Sequence, residues 1–600
     1  MFFLMAAAAA MALLLTARLA FWQVLDHQHI TMLANEQHQV TFKLPAHRGR
    51  ILDRNGQILA TDVPVYNVVA APDLVTAAAR PSVARALAPL LGVDENKIAA
   101  QLAEPLKFEY LAHRLPQATA DQVTALKLTG IGLEQDEQRS YLTSADAPPP
   151  APVAAVPKPA PSPTPLPKTN PLSFIMVAPG IRPQPPGPRS LGSNLLGFVN
   201  YAGQGQYGIE QYWDSVLKGK DGYESTLKTG GDQSITLSDK QRVEPQDGKD
   251  IVLTIDSQIQ YYAEQALAYG VAATGSEAGQ VIVMEPQTGN IVAWADYPTY
   301  DANHFTTTDS ALFKDAVVSG LYEPGSVMKV VTMSGGLDSG TVTPTTTFND
   351  PGYTIVDGFR INDWDGKNHG TIDMTEVIRH SLNVGAVHVA QLEGLQTFMH
   401  YFDQFDIGKA TGVKVAGEVA QGLEPAGQWH RSQLATRSYG QGVAVTPLQM
   451  LTAINAVANG GKLVEPRVVD SLVAADGTRT DMPYDPGKPV MSPQADTEMK
   501  QMMIQVVQNG ASGFAAQING WKNRVAGKTG TGNIPINGVY TNYTVASFVG
   551  FMPVENPRFT MLVVMHRPVG GGNWIEGSYA AGPTWHVIAQ QIIAQWQMTP

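Results

Sequence analysis

Cysteine is absent from the 600-residue sequence. Its absence excludes disulfide frameworks, thiolate nucleophiles and zinc sites with cysteine ligands. It leaves the compartment open, because an oxidising compartment permits disulfides without requiring them. Positive charge is also scarce, since 41 lysines and arginines stand against 53 aspartates and glutamates, a formal net charge of -12. A general nucleic-acid binder is therefore disfavoured, because it would normally present a basic face.

The length and composition indicate a globular protein with several domains. Charged residues are 16% of the sequence and hydrophobic residues 44%, which is ordinary for a folded chain. A chain of 600 residues is too long for one hydrophobic core, so we expect at least two domains.

A long hydrophobic run covers residues 1–16, and apolar residues continue after Arg18. Counted through Val24, the segment is about long enough to cross ~30 Å of hydrocarbon, with Arg18 able to reach one surface and Trp22 suited to the interface. We predict a single-pass membrane anchor over residues 1–24. The alternative is a cleaved signal peptide, because small residues are plentiful near a possible cleavage point. Both interpretations predict that the rest of the chain is exported.

Residues 25–145 mix short strand-like and helix-like stretches. Within them, Arg48–Ala60 reads RGRILDRNGQILA. Asn55-Gly56 is a strong turn signal, and apolar residues flank it on both sides. The pattern predicts a β-hairpin and, by itself, no chemistry.

The composition changes abruptly between residues 147 and 189, where 16 of the 42 prolines fall. A segment this rich in proline cannot build helix or sheet ladders and samples extended polyproline conformations. Fully stretched, its roughly 40 residues could reach on the order of 100 Å. We predict a flexible tether or surface insertion, and a ligand for a proline-binding domain is the alternative.

Two short motifs are similar to ligand-binding loops. Gly203–Gly208 matches the G-x-G-x-x-G pattern of dinucleotide-binding folds and precedes a helix-like segment. No buried second strand follows promptly, so we interpret it as a glycine turn before a helix. Asp363–Gly366 (DWDG) is similar to the start of a calcium loop but lacks the remaining ligand positions, and we interpret it as a turn. We therefore predict no cofactor and no metal ion.

From about residue 247 onward the pattern is dense and globular. Asp250–Ile255 (DIVLTI) predicts a strand, and Ser257–Tyr269 predicts an amphipathic helix. Gly279–Ala295 predicts a hairpin of two nearly continuous apolar strands, as expected for strands covered on both faces. Thr544–Phe551 and Phe559–Met565 predict another strand pair, with helical stretches between the two pairs. The economical interpretation is a mixed α/β fold in which helices pack on an antiparallel sheet.

Ser326 and Lys329 lie at the start of a predicted buried helix. They follow a Pro-Gly turn and lead into an apolar run that continues to Met333. Residues three apart share a helix face, and a lysine whose pKa is lowered by burial can act as the base for a serine nucleophile. Backbone N–H groups at the helix N-terminus can stabilise an oxyanion. Alone the pair is weak, because Ser-x-x-Lys occurs roughly once by chance in a chain of this length.

Two further motifs strengthen the interpretation. Ser381–Asn383 (SLN) lies where a hydrophobic helix meets a turn, and Lys528–Thr531 (KTGT) lies on a glycine-containing strand that could receive a substrate carboxylate. The three motifs start 55 and 147 residues apart, in the order S-x-x-K, S-x-N and K-T-G. That order is the signature of penicillin-binding proteins and serine β-lactamases.

With these motifs, the chain resembles the class B penicillin-binding proteins, specifically the division and sporulation transpeptidases, over nearly its whole length. Arg48–Ala60 is similar to the family's R-G-x-I-x-D-R-N-G-x-x-L-A pedestal motif, and Gly208–Gly219 is similar to its G-x-E…L-x-G stretch. Tyr322–Ser326 (YEPGS) matches the division-type form of the first motif. Ser438–Gln449 and Ala458–Gly461 contain equally characteristic stretches.

The resemblance implies a role for each motif residue. Ser326 would be acylated by the D-Ala-D-Ala end of a stem peptide, with Lys329 as general base and Ser381 as the proton relay to the leaving amine. Asn383 would orient Lys329 and the substrate amide. The substrate-binding residues would also include Lys528, Thr529, Gly530 and Thr531. Backbone N–H groups of Ser326 and Thr531 would form the oxyanion hole, and penicillins would leave a stable acyl adduct.

The resemblance also implies an organisation of the chain and a set of partners. A transmembrane anchor is predicted at residues 1–24, a β-rich pedestal of dimerisation type at 25–240 with the proline-rich insertion at 147–189, and a transpeptidase domain at 245–600. The catalytic domain would lie outside the cell (cytoplasmic) membrane. Implied partners are peptidoglycan stem peptides, β-lactams, a polytopic glycan polymerase and division-complex proteins, and no nucleic acid. The chain departs from the family in its Ser-Leu-Asn motif and in the proline-rich interruption of the pedestal.

Three related functions stay open at this point. An elongation-type transpeptidase shares the motifs, and a DD-carboxypeptidase differs only in using water as the acceptor. A β-lactamase would need a deacylation base and would need neither an anchor nor a pedestal. We predict a septal peptidoglycan DD-transpeptidase that β-lactams inhibit covalently.

Overall fold

The computed structural model describes residues 1–26, 39–146, 189–227, 241–570, 573–574 and 576–600. The predicted proline-rich insertion at 147–189 lies outside the described residues, except for Arg189. The chain divides into two compact units, residues 1–49 with 215–249 and residues 50–214 with 250–600.

Strands and helices alternate along the described chain. The strands are β1 Gln39–Leu44, β2 Ile51–Leu52, β3 Ile58–Ala70, β4 Glu109–Pro116, β5 Ile131–Tyr141, β6 Phe198–Val199, β7 Gly205–Gln206, β8 Gly222–Leu227, β9 Gln241–Val243, β10 Asp250–Leu253, β11 Ala278–Met284, β12 Ile291–Tyr297, β13 Thr347–Asp350, β14 Tyr353–Val356, β15 Phe359–Asn362, β16 Gly370–Asp373, β17 Lys462–Leu463, β18 Val469–Val473, β19 Arg479–Asp481, β20 Lys488–Pro489, β21 Ala526–Ile536, β22 Val539–Met552, β23 Phe559–His566, β24 Val569–Gly570 and β25 Asn573–Trp574. The α-helices are α1 Phe2–Ala20, α2 Arg80–Leu91, α3 Glu95–Ala103, α4 Gln117–Ala125, α5 Ser193–Leu196, α6 Gly208–Tyr212, α7 Asp214–Leu217, α8 Ser257–Thr274, α9 Ala316–Ser319, α10 Lys329–Asp338, α11 Met374–His380, α12 Asn383–Gln404, α13 Arg431–Ser438, α14 Pro447–Ala458, α15 Pro493–Val506 and α16 Gly577–Gln595.

The first unit contains the N-terminal helix and a small sheet. Phe2–Val24 is a helical segment with a mean hydropathy of 2.0, and none of it is buried. Its length and composition are sufficient to cross a membrane, which fits the predicted anchor. The sheet has the antiparallel order β1-β8-β9.

The second unit contains a seven-stranded sheet that is built around the predicted hairpin. Strands β2 and β3 pair antiparallel, and Gly56 at the turn between them has a φ of +84°. The predicted hairpin is therefore confirmed. The sheet has the order β19-β18-β10-β2-β3-β4, with β5 also paired to β3. Buried Asp53, beside the turn, accepts hydrogen bonds from the Ser257 backbone N–H (3.1 Å) and hydroxyl (2.7 Å), and this fixes the hairpin to the start of α8.

The Gly203–Gly208 motif is a glycine turn before a helix, as predicted. It forms β7 and the start of α6, and Gly208 has a φ of +50°. A Cβ atom there would lie 2.1 Å from the Leu195 carbonyl oxygen, so only glycine fits. Glu210, on the helix that follows, is fully buried and accepts a hydrogen bond from Arg139 Nε at 2.8 Å. The motif therefore has a structural role: it lets the chain pass close to Leu195 and positions the buried Glu210 beside Arg139.

The same unit contains a second sheet, which has five antiparallel strands in the order β12-β11-β23-β22-β21. The strand pairs predicted at residues 279–295 and 544–565 are all members of it, so the predicted antiparallel sheet is confirmed. Helices α8 and α16 pack on one face. The core there is made of fully buried apolar side chains, among them Leu267, Val281, Phe548, Val563, Trp585 and Ile588.

The helix predicted to begin at Ser326 begins instead as a 3-10 turn. Gly325–Met328 form that turn, and the α-helix α10 starts at Lys329. Turns of this kind are frequent at helix N-termini. The N–H of Gly325, the first residue of the turn, donates to the carbonyl oxygen of Gly440, which follows α13, at 3.2 Å. Residues 327–337 of the segment are all buried, as predicted.

Two short hairpin-like sheets lie between α10 and α11. Strand β13 pairs with β16, and β14 pairs with β15. The predicted turn at Asp363–Gly366 follows β15 and is confirmed by a hydrogen bond from the Gly366 N–H to the Asp363 carbonyl at 3.1 Å.

Candidate active site

Ser326 lies at the N-terminal turn of a buried helix, next to the strand that carries the third motif. Its side chain is half-buried, whereas Val327 and Met328 have no exposed surface. Gly325 has a φ of +55°, and a Cβ atom on it would lie 2.5 Å from the Thr531 carbonyl oxygen. The glycine therefore lets the backbones of the first and third motifs touch.

Lys329 follows Ser326 by three residues and is 1% exposed. Its ammonium donates to the Ser381 carbonyl oxygen at 2.6 Å and to Asn383 Oδ1 at 2.8 Å, and it lies 3.4 Å from Ser381 Oγ. Burial lowers the pKa of Lys329 to about 7, against a smaller opposing effect of the Asp363 carboxylate. A large fraction of this amine is therefore neutral near pH 7 and able to accept a proton.

Ser381 connects the two motif lysines. It ends α11 in the left-handed conformation, with a φ of +61°, which is uncommon for a residue with a side chain. Its hydroxyl accepts a hydrogen bond from Lys528 Nζ at 2.8 Å on one side and faces Lys329 Nζ on the other. Strain of this kind persists where the surroundings fix the backbone, and it clusters at functional sites.

Lys528 lies on β21 and is fully buried. In addition to its contact with Ser381, its ammonium donates to the Thr529 carbonyl oxygen at 3.0 Å. Burial and the nearby Lys329 charge lower the pKa of Lys528 well below its usual range. The two buried amines therefore compete for protons.

Asn383 begins helix α12 and is held by Asn362, at the end of β15, and by Asp363, in the turn after that strand. Its backbone N–H donates to Asp363 Oδ1 at 2.5 Å, and the Val384 N–H donates to the same oxygen at 3.0 Å. Its amide nitrogen donates to the Asn362 carbonyl oxygen at 3.0 Å. Asp363 thus caps the helix that presents Asn383 to Lys329.

A cleft of about 670 Å³ opens above these groups. Among the predicted site residues, the cleft is lined by Ser326, Ser381, Asn383, Thr529 and Thr531. The two buried lysines support it from below through their bonds to Ser381. Gly530 does not line the cleft: a Cβ atom on it would point into the protein and lie 2.3 Å from Ser547 Oγ. The structure therefore brings all three predicted motifs to one cavity.

Other groups were not identified as site residues from the sequence, among them Glu323, which lies outside the cleft lining, and several residues that form the cleft wall. Glu323, in the first motif, accepts hydrogen bonds from the Gly442 N–H and from the Tyr540 hydroxyl, both at 3.1 Å. Burial raises the pKa of Glu323. The remaining wall is largely aromatic or small, and includes Trp364, His380, Tyr439, Gln441, Phe514, Asn533, Glu576, Ser578 and Tyr579. Tyr439 and Gln441 lie in the characteristic stretch Ser438–Gln449, and Trp364 lies in the DWDG motif, but neither pattern marked these side chains as part of the cleft.

In the described part of the chain, one group of side chains could hold a metal ion. It consists of Asp350, Asp363 and His369, whose ligand atoms all lie within 4.8 Å of one another.

Comparison with known protein families gives two matches. The family described as the penicillin binding protein transpeptidase domain matches residues 279–593, and the penicillin-binding protein dimerisation domain matches residues 43–149. The predicted boundaries at residues 24, 240 and 245 stay predictions.

Several curated proteins are similar to the chain. The stage V sporulation protein D of Bacillus subtilis is 27% identical over 93% of this chain and 80% of its own length. The peptidoglycan D,D-transpeptidase FtsI of Escherichia coli is 27% identical over 98% of this chain and 90% of its own. The probable peptidoglycan D,D-transpeptidase PenA of Neisseria flavescens is 30% identical over 65% of this chain and 94% of its own.

Solved structures share the fold. A peptidoglycan synthetase from Bifidobacterium adolescentis superposes with a TM-score of 0.69 and 25% identity, over 94% of this chain and 97% of that one. Penicillin binding protein 3 of Mycobacterium tuberculosis, complexed with aztreonam, superposes with a TM-score of 0.67 and 24% identity, over 93% and 98%. The predicted mixed α/β fold is confirmed, and the chain belongs to the penicillin-binding protein transpeptidase family, among its class B members.

Proposed function

We propose that this D,D-transpeptidase cross-links peptidoglycan stem peptides through an acyl-enzyme on Ser326. The observation that supports it most is the meeting of the three motifs at Ser381. Its hydroxyl lies between the two buried amines, Lys329 and Lys528, at 3.4 Å and 2.8 Å. An aliphatic hydroxyl becomes a useful nucleophile only when a nearby base removes its proton, and a buried neutral lysine is such a base.

The acylation step uses the first two motifs. The Ser326 hydroxyl attacks the carbonyl carbon of the penultimate D-alanine, and its proton passes to the neutral amine of Lys329. The negative charge on the carbonyl oxygen is received by the backbone N–H groups of Ser326 and Thr531. When the C–N bond breaks, the terminal D-alanine leaves as an amine, after taking a proton through the Ser381 hydroxyl.

Substrate selection uses the third motif. A D-Ala-D-Ala end carries a carboxylate, and Lys528 with Thr529 and Thr531 offers one amine and two hydroxyls to it. Gly530 has no side chain because Ser547 Oγ and the Pro324 carbonyl oxygen lie where its Cβ atom would be, so β21 packs closely against the first motif beneath the cleft. The carboxylate of a penicillin would occupy the same place, so that Ser326 opens the β-lactam ring and stays acylated.

The second step transfers the acyl group to an amine from another stem peptide. The amine attacks the ester carbonyl carbon and loses its proton to Lys329. When the ester C–O bond breaks, Lys329 returns that proton to the Ser326 oxygen, which restores the free serine. Attack by water in place of the amine would make the protein a DD-carboxypeptidase. A measured ratio of cross-linked to hydrolysed product separates these two activities.

The setting of the reaction is inferred from the N-terminus and from the relatives. The apolar segment Phe2–Val24 fits a single-pass anchor in the cytoplasmic membrane, with the catalytic domain outside the cytoplasm. The division-type form of the first motif, Tyr322–Ser326, supports a role in septal wall synthesis, together with a membrane-embedded glycan polymerase and division proteins. Septal or side-wall position of a tagged protein in growing cells distinguishes this role from elongation.

Covalent labelling tests the proposed nucleophile. Fluorescent penicillin should label the full-length protein in membranes, and Ser326→Ala should abolish the labelling. Ser319→Ala, which removes a hydroxyl at the end of α9 that donates to the backbone carbonyl oxygen of Asp315, should leave labelling intact and is the matched control. Labelling of the Ser326→Ala protein at the wild-type rate would rule the assignment out.

A further inference from the structure

The hairpin of β14 and β15 has an exposed face that the proposed reaction does not use. Its register places Tyr353 opposite Asn362 and Ile355 opposite Arg360. Residues directly opposite each other, and residues two apart on one strand, lie on the same side of a strand pair. All four side chains are exposed, and the exposed fraction of Ile355 is 62%. We call these four side chains the hairpin face.

The opposite side of the hairpin is packed against the catalytic domain. Val356 and Ile361 are buried in one apolar cluster with residues of α12 and α13 and with Tyr439, which lines the cleft. At the turn, Asp357 Oδ2 accepts a hydrogen bond from the Ser432 N–H at 2.8 Å. These contacts fix the hairpin face in position beside the cleft.

Trp364 connects the hairpin face to the cleft. The alternation of β15 persists beyond its end, because Asn362 is exposed, Asp363 is buried and Trp364 is again 57% exposed. The indole N–H donates to the His380 carbonyl oxygen at 2.9 Å, and both residues line the cleft. The row formed by Arg360, Asn362 and Trp364 therefore leads from the hairpin face to the cleft wall.

The polar groups of the hairpin face are held in place by one another. The Arg360 guanidinium lies 3.8 Å from the centroid of the Tyr353 ring, and its Nε donates to Asn362 Oδ1 at 2.9 Å. An aromatic ring, an aliphatic side chain and fixed hydrogen-bonding groups thus lie side by side. This combination suits a ligand that has both C–H faces and hydroxyl groups, as a sugar has.

The size of the hairpin face also favours a sugar over a protein. Two cross-strand pairs extend on the order of 10 Å in each direction, because strands lie ~4.8 Å apart and residues rise ~3.3 Å. A specific protein interface buries roughly 800 Å² on each partner, which is far more than this face provides. A disaccharide is of matching size.

The distance to the cleft identifies the sugar. From Arg360 to Trp364 the row spans about 13 Å at ~3.3 Å per residue, and an extended peptide covers that distance in about four residues. In the proposed reaction the D-Ala-D-Ala end lies at Ser326, and the other end of a stem peptide is attached to a sugar of the glycan strand. We propose that the hairpin face binds the glycan strand that carries a stem peptide. The choice of ligand rests on the proposed function.

Sedimentation with insoluble glycan strands tests the binding. The probe is cell-wall glycan from which the stem peptides have been removed enzymatically, and the protein is the full-length, detergent-purified chain. The wild type should sediment with the glycan, and Tyr353→Ser and Ile355→Ser should each weaken the binding about tenfold. Tyr269→Ser and Leu392→Ser remove exposed side chains of the same kind from α8 and α12, and as matched controls they should bind as the wild type does.

Cross-linking kinetics show whether the binding serves the reaction. With a sugar-bearing stem peptide as donor or as acceptor, Tyr353→Ser and Ile355→Ser should raise KM about tenfold and leave kcat unchanged. With sugar-free stem peptides on both sides, neither constant should change. A rise in KM that follows the sugar of the donor or of the acceptor identifies the strand that occupies the face. All four variants should react with fluorescent penicillin at the wild-type rate, which also verifies that they are folded.

Two results would overturn the proposal: a wild type that does not sediment with the glycan, and hairpin variants that bind it as tightly as the wild type. Unchanged glycan binding with loss of the septal position in cells would assign the face to a protein partner instead. Ser326→Ala should bind the glycan normally. Failure of the proposed nucleophile and failure of the glycan site can therefore be told apart.

Discussion

The two motif lysines have similar surroundings and different tasks. Lys329 and Lys528 are both buried, and both contact the Ser381 hydroxyl. Lys329, on a helix, donates to the Asn383 amide oxygen and the Ser381 carbonyl oxygen, and the negative charge of Asp363 raises its pKa slightly. Lys528, on a strand, has a carbonyl oxygen and two hydroxyls around it, and the neighbouring Lys329 charge lowers its pKa further. The two amines of the substrate-free protein therefore bind one shared extra proton more readily than two.

In the proposed reaction, substrate binding would change which amine is charged. The carboxylate of a stem peptide or penicillin at Lys528 favours the charged form of that lysine, as any opposite charge close by does. The charge on Lys528 then repels a proton from Lys329. In this arrangement the arriving carboxylate prepares the base for the step that follows, although it contacts only the other lysine.

The largest expected difference is in the rate of acylation. Lys329→Met should lower the second-order rate constant for fluorescent penicillin about 10³-fold, because it removes the base, whose contribution is typically 10²–10⁴-fold. Lys528→Met should lower the same rate constant roughly 10- to 100-fold, mostly through weaker initial binding, because the carboxylate loses a charged hydrogen-bond partner while the base remains. Stopped-flow labelling measures both, with exposed Lys97→Met as the control. Equal losses of maximal rate in the two variants would contradict the division of roles.

The pH dependence should separate the two lysines further. With a Lys329 pKa of about 7, acylation should fall about tenfold per pH unit below that value, since only the neutral amine accepts a proton. In the penicillin complex, Lys528→Met removes the charge that lowers the pKa of Lys329. The pH at which the maximal acylation rate falls should therefore move to a higher value. The pH at which the second-order rate constant falls should not change, because this constant reports the ionisation of the free protein. An unmoved limb in both constants would show that the two amines do not interact.

The sequence predicted the motifs and the sheet because both depend on local patterns. Continuous apolar runs predicted the strands at 279–295 and 544–565, which belong to the same sheet as Lys528, and the order of the motifs predicted their meeting. The contacts that position them could not be predicted in this way. Asp363 acts on Asn383 across 20 residues, and Glu323 meets Tyr540 across 217. Such pairs leave no periodic signal, because a fold and not a spacing brings them together.

Backbone conformation was equally hidden in the sequence. Ser381 has a positive φ in a segment whose apolar pattern suggested only a helix meeting a turn. Nothing in a serine predicts that conformation, because the surrounding structure imposes it. The proposed reaction requires the hydroxyl at this position, which the permissive residue, glycine, would not supply.

The smallest expected effect concerns Ser381, the residue that both lysines share. Ser381→Ala and Ser381→Gly both remove the hydroxyl, so both should slow acylation by a similar factor. Only the glycine variant relieves the left-handed backbone, so it should be more stable than the alanine variant by about 1 kcal/mol. Urea unfolding of the two proteins, beside acylation rates, measures the two effects separately. If alanine proves as stable as glycine while both lose acylation, the backbone at Ser381 is not strained, and the position of its hydroxyl between the two amines depends on the lysines alone.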